Sequence, residues 1–285
     1  MALVRGAIGI DVGATKVAVA LIDSASGEVR QSESFPTSLD GGPPAVLAAC
    51  VAACERLARS ERPAAIGVGI CEIVGPDGAI ASACSIDWRD LDVVGSLSHV
   101  APTSVESDVR AAATAEAIYG AGRDLASFLY VNAGSGTSSC LVVDGTPLVG
   151  ARGAAILIGA GPLGAEATAG GVGMADLFGV PSTEDVSRAS RAGDARASGI
   201  LRDGGRALGE AIAFAVNLVD PEAVILGGGV GLNETEYRAS LESGMRAHIW
   251  LDTARELPLL AAELGEQAGV IGAARMALSH VPVAA

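Results

Sequence analysis

Short apolar runs of strand length punctuate this chain, separated by glycine turns and by alanine-rich stretches with helical start and stop signals. Ala7 to Val12 reads as a buried strand ending in Asp11-Val12-Gly13-Ala14-Thr15-Lys16. Val17 to Ile22 follows at once and stops at the turn residues Asp23-Ser24-Ala25-Ser26-Gly27. The pattern predicts strand, glycine turn, returning strand. Pro43 to Arg59 is expected to be a helix, with prolines at its start and arginines at its end. Ala65 to Ile70 and Thr103 to Glu106 are strand-like. Val109 to Tyr119 is an Ala-rich helix, introduced by Ser107 and Asp108 and stopped by Gly120.

The opening device then recurs. Phe128 to Ala133 is a strand, Gly134-Ser135-Gly136-Thr137 a turn, and Ser138 to Val143 the return to Asp144-Gly145. At a constant offset of 121 residues, Asp11 falls on Asn132, Gly13 on Gly134 and Asp23 on Asp144. Two such copies, each opening about half the chain, point to a duplicated α/β unit. The second half continues through a Gly-rich region (150–173), a helix from Arg196 to Leu218, a buried strand Ala223 to Leu226 running into Gly227-Gly228-Gly229, and a last helix Ala268 to Leu278. Residues 1–120 are therefore expected to form a small N-terminal domain, completed by the C-terminal helix 268–285, and residues 121–267 a larger one.

Composition narrows the function classes. Of 285 residues, 50% are hydrophobic and 18% charged, which excludes a disordered chain. Aromatics are only 3%, so the core must be built from small aliphatic side chains. A net charge of -14 without any basic run excludes a nucleic-acid partner, whose phosphates demand clustered Lys and Arg. The most apolar stretch, Gly153 to Ala165, is interrupted by Gly and Pro and is short for a membrane span, and no leader pattern opens the chain. The five cysteines read as reduced, buried thiols of a cytoplasmic protein, and Cys50 and Cys54 have no partners for a metal site.

Chemistry concentrates at two turns and one helix start. A glycine turn between two strands directs backbone N–H groups into one concavity, an anion nest. At 13–16 the nest gains the Thr15 hydroxyl and the charge of Lys16, the one lysine among 19 basic residues. Asp11, at the strand's end, is placed to hold Mg²⁺ directly or through water. A second nest at 134–137, across a cleft from the first, would clamp the phosphates of a nucleotide, and positioning with electrostatics is most of what phosphoryl transfer needs. Neither turn has the spacing of a Walker A or dinucleotide loop. Gly227 to Gly229 is read as letting a base or ribose approach the backbone. Asp108 fits two readings, the base that takes a hydroxyl proton or an N-terminal helix cap. Ser107 beside it is an adequate cap, which frees Asp108 for other work.

These segments, in this order, resemble the ROK family (repressor, open reading frame, kinase) of the hexokinase/actin superfamily. Ile8-Gly9-Ile10-Asp11-Val12-Gly13-Ala14-Thr15-Lys16 resembles its first phosphate loop and Gly134-Ser135-Gly136 its second. Trp88-Arg89-Asp90 is similar to the segment after its sugar-contacting loop, and Glu106-Ser107-Asp108 to its Glu-Asn-Asp catalytic motif. Asn217 to Glu222 running into Gly227-Gly228-Gly229, and Leu264 to Ala274, complete a likeness from about Gly6 to Leu278. The resemblance implies an α/β protein with the two-domain actin-like ATPase (ribonuclease H-like) fold and an interdomain cleft. It also implies ATP and Mg²⁺, Asp108 as base, and a homodimer.

The departures cluster on the acceptor side. Ser85 and Ser107 stand where the family has Asn, and Arg110 replaces another Asn, either to meet an acidic substituent or to bond Glu106 on the surface. The family's Gly-Glu-Ile-Gly-His is Ile156-Leu157-Ile158-Gly159-Ala160, and its zinc-binding cysteine loop is absent. Glu166 alone keeps an acidic acceptor contact. Removing a matched hydroxyl contact discriminates on the order of 10⁴-fold. Plain glucose is thus expected to be a poor substrate and a cyclitol or modified sugar a better one, contacted by Ser85, Ser107, Asp108 and Glu166. The competing reading is a catalytically silent regulatory or scaffold protein that binds nucleotide or ligand.

Overall fold

The computed structural model describes residues 6–37, 40–161 and 165–279. They form two compact units. The first comprises the described residues up to Arg123, Thr146–Ala155 and those from Glu266 on; the second comprises Asp124–Gly145 and Ile156–Gly265. Segment 146–155, expected with the second half, therefore belongs to the first unit.

The first unit holds strands β1 (Gly6–Val12), β2 (Lys16–Asp23), β3 (Val29–Pro36), β4 (Ile66–Ile70) and β5 (Thr103–Ser107) in the order β3-β2-β1-β4-β5. The hairpins are antiparallel, and β4 and β5 run parallel to β1. Asp11, Gly69 and Glu106 are level across the parallel strands, as are Val12, Ile70 and Ser107. Helix α1 (Gly42–Leu57) starts from Gly41, whose φ of 102° only glycine adopts easily, with prolines in its first turn. It buries Val46, Leu47, Cys50 and Cys54 in a core with Ile8, Ile10, Val19 and Ile66. The short α2 (Val93–Ser98) is capped by Asp92, and α3 (Asp108–Tyr119) follows β5 without a break. The two-residue β8 (Thr146–Pro147) lies by α3, and α10 (Ala268–Ser279) packs on α3, β1 and β4.

The second unit is built on β6 (Ser127–Ala133), β7 (Thr137–Val143), β9 (Ala223–Gly227) and β10 (Leu259–Ala261), in the order β10-β9-β6-β7. β6 and β7 form the hairpin, while β9 and β10 run parallel to β6. This is the pattern of β1, β2, β4 and β5, so the two glycine hairpins head topologically equivalent sheets. Helices α4 (Ala165–Ala169), α5 (Gly171–Phe178), α6 (Thr183–Arg191), α7 (Ala195–Val219), α8 (Gly229–Asn233) and α9 (Thr235–His248) complete the unit. The long α7 is capped by Asp194 and ends at Asp220 in a left-handed conformation ahead of Pro221. Its buried stripe, Leu201, Leu208, Ile212 and Val216, packs with Leu241 and Met245 of α9 and with Val224 and Leu226.

Candidate active site

In the first unit the turn after β1 is closed by the Gly13 N–H donating to the Lys16 carbonyl at 3.0 Å. Thr37 staples it: its N–H donates to the Thr15 carbonyl at 3.1 Å and its hydroxyl to the Gly13 carbonyl at 2.9 Å. One of the N–H groups expected in the nest is thus spent inside the hairpin, and the exposed Ala14 and Thr15 form the tip. Lys16 pairs with Glu266 at 2.9 Å, with both side chains more than half exposed, so the pair is weak and its ammonium group is cheaply redirected.

The Asp11 carboxylate lies against Gly269 in the first turn of α10. Burial pushes its pKa up to about 7, the charge of Asp108 pushes in the same direction, and Lys16 opposes. A carboxylate raised in this way sits in a place short of positive charge, which a divalent cation would correct. Asp11, the residue expected to hold Mg²⁺, stands at the end of β1 beside the glycine turn. Among the described residues, no group of three or more His, Cys, Asp or Glu side chains is placed to cage a metal.

Asp108 opens α3. Ser107 occupies the N-cap position but makes no side-chain capping bond. Asp108 Oδ1 instead accepts its neighbour's N–H, from Val109 at 2.6 Å, and the Ser107 hydroxyl at 3.5 Å. The expected division of labour, Ser107 capping while Asp108 is free, is thus replaced by two residues tied to each other. Burial lifts Asp108 to about 6, against the donors Val109, Cys71 and Ser107 and with the Glu72 charge. Asp108 Cα and the Ile10 carbonyl oxygen lie 3.6 and 3.5 Å from where a Cβ on Gly69 would sit, so this glycine leaves room at the strand ends.

Cys71 and Glu72, directly after β4, were not marked by any sequence motif. Burial, with the Asp108 charge, raises the Cys71 thiol to about 12, and the Ser85 side chain opposes the rise. Ser85 and the candidate base Asp108 both influence this thiol, which places them around one cysteine. The thiols are all free, and Cys50, Cys54 and Cys140 are buried, but Cys71 is half-buried and Cys84 exposed, contrary to the uniform burial expected. Arg110 is also not on the surface. It is fully buried, bonding Glu106 at 2.6 Å, the Gly153 carbonyl at 2.8 Å and the Val74 carbonyl at 2.6 Å. Its structural bond to Glu106 is present, and every arm of the guanidinium is engaged by protein.

In the second unit the Gly134–Gly136 turn is closed by the Gly134 N–H on the Gly136 carbonyl at 3.0 Å. The first N–H groups of α5 hold it: Gly171 donates to the Gly134 carbonyl and Val172 to the Ser135 carbonyl, both at 2.9 Å. Glu166 accepts the Thr137 N–H at 2.9 Å and the Thr137 hydroxyl, so its carboxylate braces this turn. The 227–229 run sits beside the same turn: a Cβ on Gly228 would strike the Ala133 backbone and one on Gly227 the Tyr130 ring, while Gly229 has open space. Close internal packing therefore accounts for the first two glycines. Leu157 and Ala160 are exposed.

The model of the ROK family matches residues 7–176 and 181–280. Glucokinase of Halalkalibacterium halodurans is 28% identical, over 94% of this chain and 93% of its own length. N-acetylmannosamine kinase of Escherichia coli (strain SE11) is 31% identical, over 95% and 97%. Among solved structures, a ROK family glucokinase from Streptomyces griseus, in complex with glucose and AMPPNP, superposes with a TM-score of 0.84 at 25% identity, covering 96% of this chain and 99% of that one.

Proposed function

As the chain belongs to the ROK family and is a sugar kinase, we propose that it moves the γ-phosphate of ATP to a hydroxyl of a cyclitol or modified sugar in preference to plain glucose. The observation that carries the reading is Asp108 at the end of β5, buried enough to be raised to about 6 and so near the range where a carboxylate both binds and releases a proton. In this reading Gly13 to Lys16 and Gly134 to Gly136 hold the phosphates, with Lys16 and the Thr15 hydroxyl adding donors, and Gly229 leaves room for the nucleoside. Asp11 holds Mg²⁺, which when bound neutralises phosphate charge. Asp108 takes the acceptor hydroxyl's proton as that hydroxyl attacks the γ-phosphorus and ADP leaves. Ser85, Ser107 and Glu166 contact the acceptor. Leu157 and Ala160 are apolar where the family places a carboxylate and an imidazole, which supports an acceptor lacking the hydroxyls those groups would pair.

The resemblance also implies a homodimer. An exposed apolar patch of Phe214, Leu218 and Trp250 on the second unit supports it. Free thiols throughout fit the reducing cytoplasm, and no zinc is invoked.

An ADP-release screen over glucose, N-acetylmannosamine, glucosamine and C7-cyclitols, with the Asp108→Asn variant as control, tests the reading. We expect acceptor-dependent release that is weakest with glucose, and a fall of at least about 10²-fold in kcat for the variant with Mg-ATP binding kept. Mg-ATP binding without stimulation by any acceptor would favour the silent binding protein, and wild-type turnover by the variant would remove Asp108 from its role.

A further inference from the structure

Glu72 takes no part in the mechanism above, yet it is among the few charged side chains this unit buries. One loop supplies all four of its hydrogen-bond donors. Oε2 accepts the Ser82 hydroxyl at 2.5 Å and the Cys84 N–H at 2.6 Å; Oε1 accepts the N–H groups of Ser85 at 2.7 Å and Ile86 at 3.1 Å. Burial disfavours the charge, but these donors outweigh it and hold the carboxyl below the usual glutamate range. Three consecutive amides converging on one anion form a nest, here filled by the protein's own carboxylate.

The rest of the segment is closed on itself as well. The Ile73 N–H donates to the Ser82 hydroxyl at 2.8 Å, Ala81 donates to the Ile73 carbonyl at 2.8 Å, and Arg110 grips the Val74 carbonyl. Ser85, whose N–H is held by Glu72 and whose side chain influences the same Cys71 thiol as Asp108, is therefore positioned before any acceptor arrives. A loop ordered in advance spares the acceptor the entropy of ordering it.

We propose that Glu72 is a positioning residue of the acceptor site: by holding residues 82–86 it sets Ser85 against Cys71 and the base, and so shapes which acceptors reach Asp108. The role rests on the kinase reading above. Glu72 itself touches loop amides, not substrate, and acts through Ser85.

The test uses Glu72→Gln and Ser82→Ala in the full chain. The first turns one of the two accepting oxygens into an NH₂ group pointed at two donors; the second removes one of the four donors to Glu72, and with it the acceptor of the Ile73 N–H, and keeps the carboxylate. Hydrogen–deuterium exchange of the ligand-free protein should speed up about tenfold or more at 84–86 in Glu72→Gln, and less in Ser82→Ala. With the best acceptor of the panel, acceptor KM should rise about tenfold or more in Glu72→Gln while Mg-ATP KM stays within about twofold. Unchanged exchange at 84–86 in both variants, an unchanged acceptor KM, or parallel rises in both KM values would overturn the proposal. A wild type without acceptor-dependent ADP release sinks the kinase reading and this role together. A wild type that turns over while Glu72→Gln keeps its acceptor KM sinks the positioning role alone.

Discussion

At Asp108, burial and ionisation pull against each other, and the balance has a sign that can be measured. A base must be ionised, so kcat/KM should fall about tenfold per pH unit below an acid limb near 6. Stability runs the other way. Folded values of about 6 for Asp108 and about 7 for Asp11 lie above those of the unfolded chain, so the favourable protonated state is fully present at low pH and is lost as pH rises through those values. Thermal unfolding of Asp108→Asn against wild type should therefore show the variant gaining stability from pH 5 to pH 8, and a constant difference would contradict the assigned burial cost. Asp108 was legible in the sequence because a carboxylate at a strand-to-helix junction is visible there. Glu72 was not, because three of its four donors are backbone amides, which no residue type advertises. Arg110 misled for a related reason: a charge suggests the surface, but one carboxylate and two carbonyls supply what water would have.

Among the elements, α10 carries the first unit's closest packing. A Cβ on Gly9 would run into the Val270 carbonyl, one on Gly67 into the Ala273 carbonyl, and one on Gly272 into the Ala111 carbonyl of α3. Backbone thus meets backbone on both sides of the helix, which is how a chain with so few aromatics fills this core. Gly272→Ala should cost about 1–3 kcal/mol, read as a lowered urea midpoint with unchanged slope; a midpoint equal to wild type would mean that α10 stands off from α3. The glycine hairpins, the buried strands and the two long helices were legible as apolar runs between turn residues. β3 was not: its sequence VRQSESFP is polar and mostly exposed, since it lies at a sheet edge, and pairing with β2 alone makes it a strand. Nor could the sequence assign 146–155, because no compositional change marks where the chain moves from one unit to the other.

At the scale of the whole molecule, the duplicated topology was readable from a few residues at one offset, since a hairpin with a glycine tip is a local device. The proposed self-association adds an exposed apolar patch to what the resemblance implies. The Asn217 amide donates to the His248 carbonyl at 3.0 Å and accepts the Trp250 N–H at 2.8 Å, keeping the indole, which is 82% exposed, beside the end of α7 where Leu218 is 74% exposed. Trp250→Glu combined with Leu218→Glu should convert a dimer to a monomer of 28.2 kDa in light scattering while leaving the thermal midpoint of the chain nearly unchanged; a wild type already monomeric at micromolar concentration would retire the idea. The placement of α10 has a further consequence during synthesis. β1 and β4 emerge from the ribosome early, yet the helix that covers their glycines is translated after every other described element. The second unit's strands and helices are all in hand before that helix exists, so the half made first is the half that must finish folding last, and until then the face of its sheet opposite α1 waits for a helix made long after its strands.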